Sequence, residues 1–408
     1  MLYYWFIHIY GINLYAINYA FNYNKILVQY VENNHIRQNW YIGVLLTLFF
    51  PQVAAAQFRQ YSNEFLNIGA GARGLAMGGA QVASVNDATA GYWNPAGLTG
   101  VKDVPAAALM HADYFSGIGK YDFGAVAIPI QDNKRTLGLS VLRFAVDDIP
   151  NTLYLVEPDG SINYNNVQSF SSADYALLLS FAEQAKKTEF VSISYGVNAK
   201  VIYRKVGTFA TALGFGIDAG VQMKGDNWQL GVVVKDLTTT FNAWSFHFTD
   251  QEKEKLYLTN NNIPVKSTES TAPHVTLGGR YTFKAGETFS ISPEASLDFT
   301  FEGRRNTVVS SNAVNIDPHV GLEASLKDIF FVRAGVTNFQ RGLADGDTLN
   351  QKRVWIYQPS FGAGIKIKNV SIDYAFTNLA NQSNPLYTHV LSLCFNLKSK
   401  PKEEAILY

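Results

Sequence analysis

The sequence predicts an all-β chain, a transmembrane outer-membrane β-barrel of about 14 antiparallel strands with an N-terminal hatch or plug. Three observations predict it. Apolar and polar side chains alternate with a period of two, several alternating runs are too long for ordinary soluble strands, and the connections are short on one side and long on the other.

The alternation is clearest from Val191 to Tyr203, where every odd position is apolar or aromatic. The even neighbours from Ser192 to Arg204 are polar or glycine, except Ile202. Leu213, Phe215, Ile217, Ala219, Val221 and Met223 oppose Gly214, Gly216, Asp218, Gly220 and Gln222 in the same way. Further runs follow from Phe289 to Phe301, from Phe361 to Lys368 and from Leu391 to Leu397. A strand puts successive side chains on opposite faces, so each run has one greasy face and one mostly polar face. A soluble sandwich alternates too. Length separates the cases: soluble strands average about five or six residues, whereas a tilted membrane strand needs about 9–11.

Fourteen strands are expected near 104–115, 119–131, 134–146, 170–182, 189–205, 209–224, 227–239, 272–284, 287–302, 313–327, 329–339, 354–368, 370–378 and 386–398. Tight polar links follow the even-numbered strands, at Asp132-Asn133, Gly225-Asp226, Ala285-Gly286, Asp328 and Asn369. Long links, 147–169, 240–271 and 340–353, follow odd-numbered ones. That asymmetry is the outer-membrane layout. In lipid every backbone donor and acceptor needs an internal partner, which a closed barrel supplies without an edge strand. Pro129, Pro293, Pro318 and Pro359 cannot donate to the ladder and read as bulges, kinks or strand ends. The broken period at Leu142-Arg143-Phe144 predicts a bulge there.

Composition agrees with this reading. Over 408 residues the formal net charge is zero, so nothing points to nucleic acid as a partner. Mean hydropathy is near zero, which excludes a polytopic helical membrane protein but suits alternating strands. Cys394 is the single cysteine, so no intrachain disulfide forms.

Five segments result. Residues 38–56 carry an apolar stretch, Trp40 to Phe50, and a small-residue cleavage site, Ala54-Ala55-Ala56, and read as a secretory signal peptide. Residues 1–37 precede it and read as a mis-assigned or unstructured leader. Residues 57–103 form the plug, 104–398 the barrel and 399–408 a polar tail.

The plug contains IGAGARGLAMGGAQVASVNDATAGYWNPAGL, residues 68–98. Gly69, Gly71 and Gly74 formally match a dinucleotide fingerprint, but no βαβ unit surrounds them. Small-residue packing inside a confined lumen explains them better. Asn94-Pro95 favours a turn, Ala96-Gly97 continues it compactly, and Asn86-Asp87 can cap a short helix over 88–93.

RGLAMGGA, then ND, then YWNPAGL, followed by a barrel, resembles the PorV/PorQ family of FadL-like outer-membrane proteins. The KDLTTTFNAW segment from Lys235 to Trp244 is similar to the PorV side of that family. The resemblance implies a fourteen-stranded barrel whose hatch contains the triplet Asn94, Pro95 and Ala96. It also implies an outer-membrane component of the type IX secretion system of Bacteroidetes, binding or escorting secreted cargo that carries a C-terminal sorting domain. Outer-membrane lipid and translocon components are then the other partners. The same fold would serve a FadL-like transporter of fatty acids or other hydrophobic small molecules, and the residues leave both open. A structural barrel packed against a larger translocon is a third possibility.

By position, the long loops 147–169 and 240–271 are candidate partner surfaces, with Tyr154, Phe241, Trp244, Phe246 and Phe248 as aromatic anchors. An aromatic girdle at the membrane rim would use the same residues. No catalytic motif, metal-ligand spacing or cofactor site is expected among the seven histidines and the single cysteine. His111 and Asp113 read as a strand-face pair. Lys200, Arg204, Asp218, Lys235, Glu294, Asp298, Glu323, Lys366 and Lys368 are candidate lumenal charges, placed to bond one another and the plug.

Overall fold

The computed structural model describes residues 62–114, 117–157, 159–263, 267–343, 353–378 and 387–397. The expected leader, signal peptide and C-terminal tail, and residues 57–61 of the hatch, lie outside these.

Alternation in the sequence becomes a closed antiparallel barrel of fourteen strands. They are β1 (Ala106–Tyr114), β2 (Gly119–Ile130), β3 (Arg135–Asn151), β4 (Gln168–Lys187), β5 (Ser192–Val206) and β6 (Ala210–Lys224). β7 runs in two segments, Trp228–Lys235 and Thr240–Phe246, and β8 in three, Ser267–Thr271, His274–Tyr281 and Phe283–Ala285. β9 (Phe289–Thr300), β10 (Asn315–Leu326), β11 (Phe330–Leu343), β12 (Arg353–Ile367), β13 (Val370–Asn378) and β14 (Tyr387–Asn396) complete the wall. β14 pairs back onto β1, Leu393 opposite Leu109, so the sheet has no free edge.

One face of each strand is exposed and apolar: Leu109, Val126, Leu139, Leu179, Val197, Phe215, Leu230, Leu277, Leu322, Val332, Ile372 and Leu391. The other face is buried around residues 62–101 of the plug. An exposed apolar belt on a closed barrel is a lipid-facing surface. No described helix is long and apolar enough to cross a membrane. Links after even-numbered strands are short, and those after β3, β7, β9, β11 and β13 are long, which sets the long-link end outside the cell and the short-turn end in the periplasm. The β1–β2 and β5–β6 links are the exceptions, short connections on the long-link side.

Three expectations are corrected. β3 and β4 pair as far as Asn151 and Gln168, so the loop expected at 147–169 shrinks to 152–167. A register shift between Val146 and Ile149, with Asp148 at φ 56°, lets that hairpin continue beyond the belt. The bulge is therefore not at Leu142-Arg143-Phe144. There Leu142 is buried against the plug, and Arg143 breaks the apolar pattern because it pairs with Asp122 at 2.9 Å on the outer face.

Thirdly, 240–246 is strand rather than loop. The first segment of β7 covers only the lower half of β6, and after a crossing at Asp236–Thr239 the chain resumes pairing, Phe241 opposite Phe215. The rest of that link holds helix α1 (Asp250–Leu258), capped by reciprocal bonds between Thr249 and Glu252. The prolines stand at strand ends or interruptions as expected, Pro129 at the end of β2, although they cause no register shift between β9 and β10. Pro293 stands opposite the break in β8 between Tyr281 and Phe283, and Pro318 lies just past Val320, where pairing of β10 with β11 stops. Pro359 adjoins the register shift at Thr337/Gln340 of β11.

Candidate functional site: the plugged lumen and its rim

The plug begins near the outer mouth of the barrel and descends. Asn63 donates to Thr271 at 2.9 Å and accepts from Asn242 at 2.8 Å, both on the upper wall. A five-residue helix, α2 (Ala72–Ala76), a second short helix, α3 (Ala90–Trp93), and a 3-10 turn over Pro95–Gly100 follow. At the bottom, Lys102 donates to the carbonyl of Asn133 in the periplasmic β2–β3 turn.

Each part of the YWNPAGL motif has a physical task. Tyr92 accepts from the amide of Gly69 and donates to the carbonyl of Leu66, and the Trp93 indole donates to the carbonyl of Ala70 at 2.7 Å. These two rings tie the descending chain to the rest of the plug. Asn94 is fully buried. Its amide nitrogen donates to the carbonyls of Val82, Val221 and Val232, and its oxygen accepts from the amide of Ala96. The motif thus caps its own turn and bonds to strands β6 and β7 at once. Close approach needs bare backbone opposite: a Cβ at Gly196 would strike Pro95, and one at Gly220 would strike the Asn94 side chain. Gly97 packs in the same manner on the carbonyl of Val85.

Asn86 and Asp87 sit elsewhere, on the periplasmic side of the plug. Asp87 accepts from the amide and hydroxyl of Thr89. α3 starts at Ala90 with no side-chain cap, so the expected capping by Asn86-Asp87 becomes a local turn.

Charged wall residues satisfy the plug backbone and one another. Glu294 accepts from the amides of Ala83 and Ser84 at 3.2 Å each. Glu323 accepts from Arg73 of α2 at 3.0 Å and from Arg280 and Arg333 at 2.7 Å, and Arg333 reaches on to Asp373. Lys200 lies between Asp218 and Asp236, and Arg204 pairs with Asp174 at 2.9 Å. Asp298 meets His319 at 3.2 Å, and Lys235 lies 4.6 Å from the Tyr92 ring centroid. The expected lumenal charges are therefore brought together, with two corrections. Lys368 belongs to the exposed β12–β13 turn at φ 53°, and Lys366 is exposed beside the periplasmic end. His111 meets Asp122 at 2.7 Å and Asp113 at 3.6 Å on the outer face, as a strand-face pairing.

Two cavities flank the plug. An upper one of about 490 Å³ lies above Leu75, Gly78, Tyr92 and Trp93 and is walled by Lys235, His274, Asp298, Asp317 and His319. Loop residues Glu302 and Arg305 roof it. Burial raises the Glu302 carboxyl above its ordinary range, and Arg305, its ion-pair partner, opposes that shift. A lower cavity of about 420 Å³ lies among Arg73, Asp87, Gly100, Glu323 and Asp373. α2 contributes to both, Arg73 lining the lower space and Leu75 the upper.

A third, apolar pocket of about 470 Å³ opens at the outer rim, lined by Leu153, Phe209, Trp244, Phe246, Phe248 and Leu256 of α1. Phe209, Phe248, Phe246 and Trp244 stack in series, with centroids 5.9 to 6.4 Å apart. Arg204 covers Trp244 at 5.2 Å. Three of the five expected rim aromatics, Trp244, Phe246 and Phe248, thus share one pocket. Phe241 points outward from the β7 wall and is 50 % exposed, and Tyr154 lies in the β3–β4 loop outside this lining. Sequence reasoning missed Phe209, which follows a turn glycine, and Leu256, although the Thr249-x-x-Glu252 capping box marked its helix.

No family model matches the chain, and no curated protein matches it. Solved structures do. The toluene transporter TodX of Pseudomonas putida is 13 % identical over 80 % of this chain and 98 % of its own, with a TM-score of 0.50. The Ralstonia pickettii toluene transporter TbuX is 12 % identical over 81 % of this chain and 99 % of its own, with a TM-score of 0.48. A Pseudomonas aeruginosa FadL homologue is 13 % identical over 79 % and 97 %, with a TM-score of 0.44. At this identity the likeness to TodX is one of fold. The class is a plugged, fourteen-stranded outer-membrane barrel.

Proposed function

We propose that this barrel is a plugged passage admitting small molecules across the outer membrane, a transporter of the FadL-like kind. The observation that carries the reading is the pair of cavities lined by different residues of the plug, one on its outer and one on its periplasmic side. A solid lumen would serve a purely structural barrel equally well. A lumen hollow on both sides of the plug is what passage by displacement of the plug requires. The rim pocket offers an apolar surface at the outer end, whereas the upper cavity is lined by charged groups. The solute then combines an apolar part with a polar or charged one, unlike the toluene named for TodX and TbuX.

Flux into proteoliposomes holding the purified protein tests this. Small amphipathic solutes should enter faster than into protein-free liposomes, and entry at the protein-free rate would remove the proposal.

A second reading is escort of secreted proteins within a type IX secretion system. The likeness of the hatch motif to PorV/PorQ supports it, as does the stacked aromatic shelf at the rim, which suits a protein contact. Deleting the gene separates the two readings. A depleted secreted proteome with normal solute uptake favours escort, and the reverse favours the passage.

A further inference from the structure

The upper cavity carries charges of both signs, and most are already paired with each other. Lys200 is held by Asp218 and Asp236, and His274 approaches Asp236 at 3.7 Å. His319 takes Asp298, and Arg305 takes Glu302 and Glu64. Two lining charges remain with no hydrogen bond or ion pair among the described residues. One is the Lys235 ammonium, whose contact is the face of Tyr92. The other is Asp317, whose Oδ1 is buried without a hydrogen-bond partner.

Asp317 stands directly opposite Asp298 across the β9–β10 ladder, so a second carboxylate crowds it, and His319 is engaged by that neighbour. Lys235 stands opposite His274 on β8. Three strand spacings separate β7 from β10, about 14 Å between backbones. Lys235 and Asp317 both line this cavity, from walls three strands apart. An unpaired charge in a confined site is costly, and a ligand of opposite charge relieves the cost. Tyr92, which Lys235 contacts, and Trp93 and Tyr114 add aromatic surface to the same cavity. The volume lies in the range of about 300–1,000 Å³ usual for small-molecule sites.

We infer that the upper lumenal cavity is a binding site for a small zwitterion of the amino-acid class bearing an apolar side group. Lys235 receives the carboxylate, Asp317 the ammonium, and the Tyr92–Trp93 surface the side group. This deepens the passage reading and rests on it for its purpose, although binding can be measured without transport.

Titration calorimetry on the full mature barrel in a non-ionic detergent tests the site with four probes. They are phenylalanine, phenethylamine (cation only), 3-phenylpropionate (anion only) and N-acetylphenylalanine amide (neutral). Phenylalanine should bind at least tenfold tighter than the other three. Lys235→Met should erase its advantage over phenethylamine, and Asp317→Asn its advantage over 3-phenylpropionate. Lys235→Arg, which keeps the charge, should retain most of the affinity and guards against a folding defect, as does a heat-shifted gel band in every variant. Equal affinities for all four probes, no binding of phenylalanine, or an unchanged ranking in folded Lys235→Met and Asp317→Asn would overturn the assignment. Solute flux without phenylalanine binding leaves the passage standing and sinks the site. Binding of phenylalanine without any flux does the opposite.

Discussion

Arg73 of the plug meets Glu323 of β10 at 3.0 Å, and the same carboxylate also holds Arg280 and Arg333 of the wall. One acid thus serves three guanidinium groups, of which only one belongs to the plug. The two ends of this contact are therefore not equivalent. Arg73→Met leaves Glu323 with two cations, whereas Glu323→Gln leaves three cations around a neutral amide. Breaking a buried pair from one side costs about 3–5 kcal/mol, chiefly through the charge left behind. Glu323→Gln should therefore lower the heat-modifiability midpoint on gels more than Arg73→Met. Arg73→Met should instead act on the plug, raising small-solute flux into proteoliposomes while the wall holds. Equal midpoints for the two variants would contradict this account.

Much of the wall was legible because lipid on one side and a filled lumen on the other enforce a strict two-residue period. From Val191 to Tyr203 that period needs no tertiary information. It fails where the environment changes. Arg143 lies on the outer face yet is charged, and its reason is Asp122 on the neighbouring strand, a partner 21 residues away. The 240–246 segment looked like loop because Asp236–Thr239 interrupts β7, and the need of β6 for an upper partner is a pairing fact rather than a local one. The hatch motif stood out by its residue types. Its mechanism did not, because the carbonyls that Asn94 engages on β6 and β7 are more than 120 positions downstream.

Two asparagines of the hatch give a contrast within one segment. Asn94 makes three donor contacts and one acceptor contact while fully buried, whereas Asn86 is exposed. Asn94→Ala should cost about 1–3 kcal/mol through the acceptors it abandons in the interior. Asn86→Ala should stay within about 0.5 kcal/mol, as surface substitutions do. Limited proteolysis of the folded barrel reads this directly, with faster cleavage near the plug in Asn94→Ala and an unchanged pattern in Asn86→Ala.

The rim aromatics divide by the direction they face. Phe246 lines the apolar pocket between Trp244 and Phe248, whereas Phe241 is on the outer face of the same strand. Removing a partly buried phenylalanine from a binding surface costs about 1–2 kcal/mol of apolar contact. Phe246→Ala should therefore weaken binding of an environment-sensitive apolar dye about five- to thirtyfold. Phe241→Ala should leave dye affinity within twofold. Equal losses in both would place the dye on the lipid-facing wall.

Lys200 is the most exacting test of the lumenal charge network, because it neutralises two acids. It is 3 % exposed, lies 2.8 Å from Asp218 and also contacts Asp236, the residue that opens the crossing in β7 at φ 55°. Asp218 in turn accepts from the backbone amide of Asp236, and Thr240 donates to Asp236, so the crossing is built around this one ammonium. Lys200→Met buries two carboxylates with no cation between them and should cost about 3–5 kcal/mol. Adding Asp218→Asn removes one of the stranded charges, so the double variant should be more stable than the single one despite losing a further native group. Denaturant midpoints of refolded barrels decide it: a double variant less stable than Lys200→Met would mean that the ammonium acts through packing of its stem, not through its charge.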